Sequence, residues 1–506
     1  MVAQLLVFGV VLFPFVAALS VAVASRAGAP SGLTSRMATV ILGASLVSAA
    51  VLCGVVFARG TVHATLGPLV LTADAVAVVL SCLVLVLSGV IQVFAVRYLR
   101  GDPRQPWWAV VSNLLTGCTA VLVCAGTVGV FTVSWIFAGG CLVLLLAMYP
   151  RAPRAREGVI RTAISFAVAD LGLLAACCIL ILRSGHDVRL DALGSAVATA
   201  PVWLRTAIGL LLVAAVLSRS SQIPFHRWLP STLSAPTPVS ALMHAGVVNA
   251  GAILVIRFAP VIANQLVVML VLFIAGVATL LYASAVRLVK PDVKGRLVFS
   301  TMAQMGYMIM GCGLGAFAGV LLHLVAHSLF KSSLFLGAGR GIRQRAEARD
   351  WPRESPRRTR VVVASVILAI LIPSGAFAWA VVTVYPTLSV RNLPLFVFVL
   401  VSLGVAVARW LRSTWSAVAV AVAVAASVAL AFLYTALLAW FASFVPVPAG
   451  VPAVPPLLVA IPIVALVVLE VLVVRRNGRN RFGARVYARA LATSLPRPII
   501  RKGATS

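Results

Sequence analysis

The chain has 506 residues, of which 62% are hydrophobic and only 10% charged; an average soluble domain has about 45–50% and about 25%. Apolar runs of 18 residues or more recur from end to end, which excludes a soluble enzyme, a fibrous protein and a disordered chain and leaves a polytopic membrane protein. The charge of +30, from 41 Lys+Arg against 11 Asp+Glu, does not point to nucleic acid, because the arginines lie between apolar spans, where they orient helices.

The N-terminus, MVAQLLVFGV, has no positive leading segment and reads as a first span rather than a cleaved signal peptide. At about 18–25 apolar residues per span, the sequence predicts about fifteen helices: 2–25, 37–58, 69–96, 107–128, 130–149, 158–182, 202–218, 238–259, 263–286, 297–315, 317–339, 361–385, 392–408, 413–444 and 454–474. Gly126–Gly129 and Gly313–Gly315 would be very short turns, and 413–444 is long enough to be tilted or broken. All eight cysteines lie in apolar segments and no CxxC occurs, so neither a disulfide framework nor a zinc finger is expected.

With the N-terminus outside and the spans alternating, 34 basic residues fall on the inner loops and the C-terminal tail. Five fall outside (Arg59, Arg183, Arg189, Arg205, Arg391), and Arg257 and Lys331 remain within spans. That asymmetry predicts an outside N-terminus and a cytoplasmic C-terminus. The Arg-rich stretches 340–360 and 475–502 read equally well as docking surfaces for a partner and as anchors at anionic headgroups.

Polar groups inside spans are costly and usually mark ion or proton paths. Asp170 sits mid-span in SFAVADLGLLAACC, Asp74 starts a span, and Glu470 lies near Arg475 and Arg476 as for an end-of-helix ion pair. Between 215 and 260, Pro224, Pro230, Pro236 and Pro238 crowd a span boundary, flanked by Arg219, Gln222, His226 and His244. Proline removes a backbone donor, and unwound backbone at membrane depth builds ion sites in transporters. An ordinary proline-rich loop is the alternative. In HLVAHSLFKSSLF, His323, His327 and Lys331 follow an i, i+4, i+8 spacing that puts them on one helix face over about 12 Å. Imidazoles pass protons near neutral pH, and a lysine out of water can bind and release one. Two histidines at i, i+4 could also share a metal, but no Asp, Glu or Cys nearby completes a set. A third alternative is a set of hydrogen bonds between helices.

The motifs SSQIPFHRWLPSTLSAPTPVSALMHAG and HLVAHSLFKSSLFL, with DVKGRLVFSTMAQMGYM between them, resemble the proton-translocating antiporter-like subunits, among them the large membrane subunits of respiratory complex I and of Mrp-type antiporters. The resemblance covers roughly 70–340, and HAGVVNAGAILVIRFAP after PFHRWL looks most like the DabB type of inorganic carbon accumulation complexes. It implies an all-α fold with an inverted repeat and broken helices. The organisation is then N-terminal helices at 1–68, the antiporter-like core at 69–340, a basic loop at 341–360, C-terminal helices at 361–474 and a basic tail at 475–506. It also implies that Asp170, Arg219, His244, His323, His327 and Lys331 stand on an ion path. The chain would be a transporter subunit of the bacterial inner membrane without a cofactor. A large peripheral partner of the DabA type, similar to a zinc carbonic anhydrase, would hold the zinc and hydrate CO2, driven by cation flux that is expected to be H+.

Three departures from the complex I pattern stand out. Trp135 is followed by Ile136 where that pattern has Glu; Arg219 fills a Lys position; and 361–385 has no ionisable residue where a second Lys is usual. Arginine hardly releases its proton, so Arg219 reads as a fixed charge paired with Asp170. The alternatives are a subunit of a complex I-like or Mrp-type Na+/H+ assembly, a polytopic glycosyltransferase, for which the outer loops offer only Asp187 and Asp191, and a non-conducting scaffold.

Overall fold

A computed structural model describes residues 1–347, 359–387 and 390–445, and beyond them parts of 447–468 with positions 488 and 492. Long aliphatic runs fold as helices because hydrocarbon offers their backbone no partner, so each N–H and C=O must be satisfied within its own segment. In chain order the helices are α1 (Val2–Arg26), α2 (Ser31–Arg59), α3 (Ala75–Tyr98), α4 (Gln105–Val123), α5 (Val128–Leu146), α6 (Pro153–Ser184), α7 (Leu193–Ala198) and α8 (Val202–Arg219). There follow α9 (Thr237–Ala245), α10 (Ala250–Arg257), α11 (Ala259–Ile262), α12 (Leu266–Val289), α13 (Val293–Gly313), α14 (Phe317–Glu347), α15 (Thr359–Val384), α16 (Leu393–Ser413) and α17 (Ala417–Phe444).

Thirteen helices among the described residues are long and apolar enough to cross a membrane, with α9 and α10 counted as one span. They fall on thirteen of the fifteen expected spans. The fourteenth position is α13, which is less apolar because it is central: 15 of its residues are buried, so little of it needs to match lipid. It lies against α12 with the backbones nearly touching, since a Cβ on Gly306 would come within 2.7 Å of the Gly276 carbonyl oxygen. In the fifteenth, residues 460–466 are helical, and the rest of 454–474 lies outside the described residues. So do Glu470 and most of both basic stretches, although α14 runs on to Glu347, past the expected loop boundary. The long stretch at 413–444 is one unbroken helix.

The span expected at 69–96 is corrected at its start. Leu69–Ala73 is strand β2, paired antiparallel with β1 (Val62–Leu66) through a Gly67–Pro68 turn. Asp74 then caps α3 by accepting from the Ala77 amide at 2.7 Å. The hairpin is stitched to the α4–α5 junction, with the Thr72 amide donating to the Cys124 carbonyl at 2.7 Å and the Gly126 amide to Val70 at 2.9 Å. That junction is stitched in turn to 187–190, where the Val128 amide donates to Val188 and the Gly129 amide to the Asp187 carboxylate, each at 2.9 Å. This hairpin face gathers one end of most helices; at it Arg189 bonds Asp191 and holds its carboxyl below the usual carboxylate range. The opposite face holds the α12–α13 and α16–α17 turns, with Arg287, Lys290, Lys294, Arg409 and Arg412, and is called here the basic face.

Candidate functional site

Two groups of buried polar side chains meet around the discontinuity between α9 and α10. The first is built on α5, α6 and α8. Arg219, the last residue of α8, is 1% exposed, and its Nη2 donates to Asp170 Oδ1 on α6 at 2.6 Å. The Trp135 indole donates to the same oxygen at 3.0 Å, and the guanidinium also lies over the Trp135 and Phe166 rings, 4.5 and 4.1 Å from their centroids. Gly139 leaves the room, because a Cβ there would fall on the guanidinium. Ile136 follows Trp135 on α5 where the sequence resemblance expects a carboxylate; here the carboxylate facing the buried cation comes from α6 instead.

The second group runs along α14. Lys331 is 1% exposed and donates from Nζ to Ser300 Oγ on α13 at 2.5 Å. His323 and His327 follow on the same face, their rings 6.1 Å apart and nearly parallel, and Tyr307 packs edge-on to His323 at 4.9 Å. His244, at the end of α9, is 1% exposed and stacks on Phe335 of α14 at 4.4 Å. The i, i+4, i+8 row therefore exists as a row, and α9 brings His244 to it.

What joins the two groups is a break in the span of α9 and α10, beyond the prolines; around Pro224 the chain is interrupted as well, since α8 stops at Arg219 and a buried helical turn, His226–Thr232, follows. Pro224 lies in the connector after α8, Pro236 precedes α9, and Pro238 is the second residue of α9, where its missing N–H costs no helical bond. The span itself is interrupted at Gly246, where a Cβ would lie 2.7 Å from the Leu242 carbonyl oxygen, and Val247–Asn249 make a tight turn before α10 starts. The Ser220 hydroxyl takes the freed Val248 carbonyl at 2.7 Å, and Asn249 Nδ2 donates to Ser328 Oγ of α14 at 2.8 Å. A cavity of about 50 Å³ lies between, lined by Arg219, Trp135, Gly246, Asn249 and Ser328. His226 stands apart, packed edge-on against Tyr282 at 5.1 Å.

Seven buried polar atoms along this axis have no protein partner: Arg219 Nε, Gln222 Oε1, His244 Nδ1, Asn249 Oδ1, His323 Nε2 and both ring nitrogens of His327. A buried polar atom left unpaired costs about 1–3 kcal/mol, and seven in one region are tolerable only where water can reach them. Among the described residues no group of three His, Cys, Asp or Glu is placed to hold a metal ion.

Some site residues were not read from the sequence. Asn249 and Ser328 tie the broken span to α14, and Ser300 holds Lys331. Asp74 is tied to Arg257 of α10 by two bonds of 2.5 and 3.0 Å, and Arg257 also donates to the Val123 carbonyl at 2.8 Å. The signal was available: span parity puts the start of α3 and the end of α10 on one face, where Asp74 and Arg257 can meet.

The fold defines a multi-pass membrane protein with two groups of buried polar and ionisable side chains in its interior. Residues 125–384 match the family described as "NADH:quinone oxidoreductase/Mrp antiporter, TM", and the chain belongs to that family. It is 36% identical over 295 residues to the "Probable inorganic carbon transporter subunit DabB1" of Halothiobacillus neapolitanus, covering 57% of this chain and 52% of that one. It is 32% identical over 288 residues to the "NADH-quinone oxidoreductase subunit L" of Mycobacterium tuberculosis, covering 56% of this chain and 45% of that one. The matched region thus spans about half the length of these curated relatives. The solved Mrp complex from Dietzia sp. DQ12-45-1b has the same fold over 97% of this chain and 52% of its own, with a TM-score of 0.59 and 24% identity.

Proposed function

We propose that this chain is the ion-conducting membrane subunit, with H+ as the ion, of a bacterial inorganic carbon accumulation complex. Its partner would be a large peripheral protein of the DabA type, zinc-dependent and similar to carbonic anhydrase, which hydrates CO2 to bicarbonate. The observation that carries the conducting role is the set of seven buried polar atoms without protein partners, three of them on His327 and His323 of the Lys331 row. The carbon-uptake assignment is supported by similarity to relatives named as inorganic carbon transporter subunits.

In this reading a proton binds the free amine of Lys331, whose ammonium is steadied by Ser300. It then leaves through water for either ring nitrogen of His327, and His327 passes it to His323. An imidazole suits the task because one ring nitrogen can take up a proton while the other gives one up. Arg219 keeps its proton and acts as a fixed charge, held by Asp170 and stacked on Trp135. His244 adds a branch from the broken span. The activity belongs to the core at 69–340, the hairpin face lies outside the cell membrane, and the C-terminal tail is cytoplasmic, as the basic residues favour.

The test is Lys331→Ala in cells that express both subunits. Bicarbonate accumulation is expected to be lost while the two proteins still co-purify; accumulation at the wild-type level removes Lys331 from the path. A second reading, a subunit of a complex I-like or Mrp-type Na+/H+ assembly, is favoured by the similarity to subunit L and by the shared Mrp fold. Mild-detergent purification from native membranes separates the two. One zinc-binding peripheral protein in equal amount supports the first, and a set of further membrane subunits supports the second.

A further inference from the structure

Helix α16 is fastened to the core at one end and leaves it at the other. Near the hairpin face Leu395 packs over Gly319 of α14, and Phe396 meets Phe377 of α15 edge-on at 5.5 Å. Towards the basic face Val407 and Leu411 join Ala369, Ala419 and Ala423 in a small apolar cluster of α15, α16 and α17, separate from the main core. A cleft of about 420 Å³ opens there between α16 and the α12–α13 pair. It continues into a groove of about 760 Å³ along the last turns of α16, since Ser402, Val405 and Arg409 line both. The rings of Tyr307 and Phe398, 4.4 Å apart, close its floor. At 1.5 Å per residue that floor lies about 21 Å below the ends of α13 and α16 at the basic face. This is half of a bilayer of about 40–45 Å with its headgroups, so the cleft is one leaflet deep.

The mouth is cationic. Arg287 of α12, two residues from the helix end, and Arg409 of α16, four residues from its end, line facing walls, with Arg412 beyond them in the groove. Among the described residues no Asp or Glu lines either space. Trp410 stands beside them, at the level where indoles collect at membrane interfaces. Guanidiniums on facing walls with no carboxylate between them suit an anion with several oxygens, such as a phosphate. Below the mouth Leu280, Val397, Val401 and Ile463 make the walls apolar. The hydroxyls at that depth already have partners. Ser402 donates to the Phe398 carbonyl at 2.8 Å, and Ser300 donates to Leu297 at 2.8 Å while accepting from Lys331. A free phosphate has no use for such walls, whereas a hydrocarbon chain beneath a phosphate does. We propose that the cleft binds one anionic phospholipid of the basic-face leaflet, with its phosphate between Arg287 and Arg409 and an acyl chain against α13. Basic pockets between membrane helices hold anionic headgroups by the same attraction. The site moves no ion and stands whether or not Lys331 carries one.

From Val298 to Gly313 every residue of α13 is buried except Ser300 and Gln304, and both line the cleft. A lipid label on these two therefore reports a chain inside the cleft rather than bulk lipid around the protein. The test places the assembled complex in phosphatidylcholine bilayers doped with phosphatidylglycerol that carries a diazirine midway along one acyl chain, and reads the crosslinked residues by mass spectrometry. Crosslinking at 300 or 304 that excess unlabelled phosphatidylglycerol removes is the expected result. It should fall on the order of tenfold in Arg287→Gln/Arg409→Gln, and by a similar factor when the probe is phosphatidylcholine. Arg97→Gln/Arg100→Gln takes the same charge from the exposed end of α3 on the same face and should label like the wild type. No crosslink at either residue, as for a cleft that holds only water, overturns the site. So does equal labelling by the phosphatidylcholine probe, or a matching loss in the Arg97→Gln/Arg100→Gln control. Labelling that inorganic phosphate removes as well as phosphatidylglycerol does would make this a free-anion pocket and overturn the lipid. Should the double variant not assemble, Val401→Trp fills the cleft and leaves its charges in place; loss of the crosslink supports the site, and its persistence overturns it.

Discussion

At the scale of single side chains, Arg219 shows how a buried cation is satisfied. The chain has Ile136 beside Trp135, yet the buried guanidinium still faces a carboxylate, Asp170 of α6, and the Trp135 indole binds the same oxygen. Spans and their charges suffice to suggest the Asp170–Arg219 pair. They do not reveal the indole bond or the stacking of His244 on Phe335, because these depend on the rotation of each helix. The pair is closely held, so removing one member leaves a buried charge alone, at a cost of about 3–5 kcal/mol. Asp170→Asn should lower the thermal midpoint in detergent, and adding Arg219→Gln should recover part of the loss. A single variant as stable as the wild type would mean that water, rather than Asp170, satisfies Arg219.

Among the elements, the interrupted span is where the sequence is hardest to read. Four prolines draw attention to 224–238, where α8 gives way to the turn at His226–Thr232, but the span of α9 and α10 breaks elsewhere, eight residues beyond Pro238 at a glycine. A single Gly in HAGVVNAG is a weak sign, since glycine also occurs inside membrane helices for packing. Gly246→Ala would bring a Cβ within 2.7 Å of the Leu242 carbonyl, so the turn must shift and with it Asn249 and its bond to Ser328. Ion flux should fall in that variant while the amount of folded protein holds; wild-type flux would show that the turn does not position the path. Strand β2 was misread for a related reason: a five-residue apolar strand in front of an apolar helix has no periodicity of its own to separate it. Asp74, which ends that strand, also ties α3 to α10 through Arg257. Asp74→Ala should destabilise the hairpin face, seen as faster proteolysis between 60 and 74; unchanged proteolysis would mean that the β2–junction bonds suffice without the ion pair.

At the scale of the molecule, helix number and class were legible because apolar length is a strong signal, whereas α13 shows its limit: a helix surrounded by protein rather than lipid can be too polar to read as a span. The same centrality sets two buried polar groups on either side of a broken span, with only a cavity of about 50 Å³ between Arg219 and the Asn249–Ser328 bond. A short, narrow gap of this size lets hydration of the break decide whether the two groups communicate. The direct measurement is proton flux. The purified complex is reconstituted in liposomes with a pH-sensitive dye inside, and a membrane potential is imposed with potassium and valinomycin. Wild-type protein should acidify or alkalinise the lumen according to the sign of the potential, and Lys331→Ala should reduce this to the leak of empty liposomes. Flux through Lys331→Ala equal to the wild type would contradict a proton path along the α14 row.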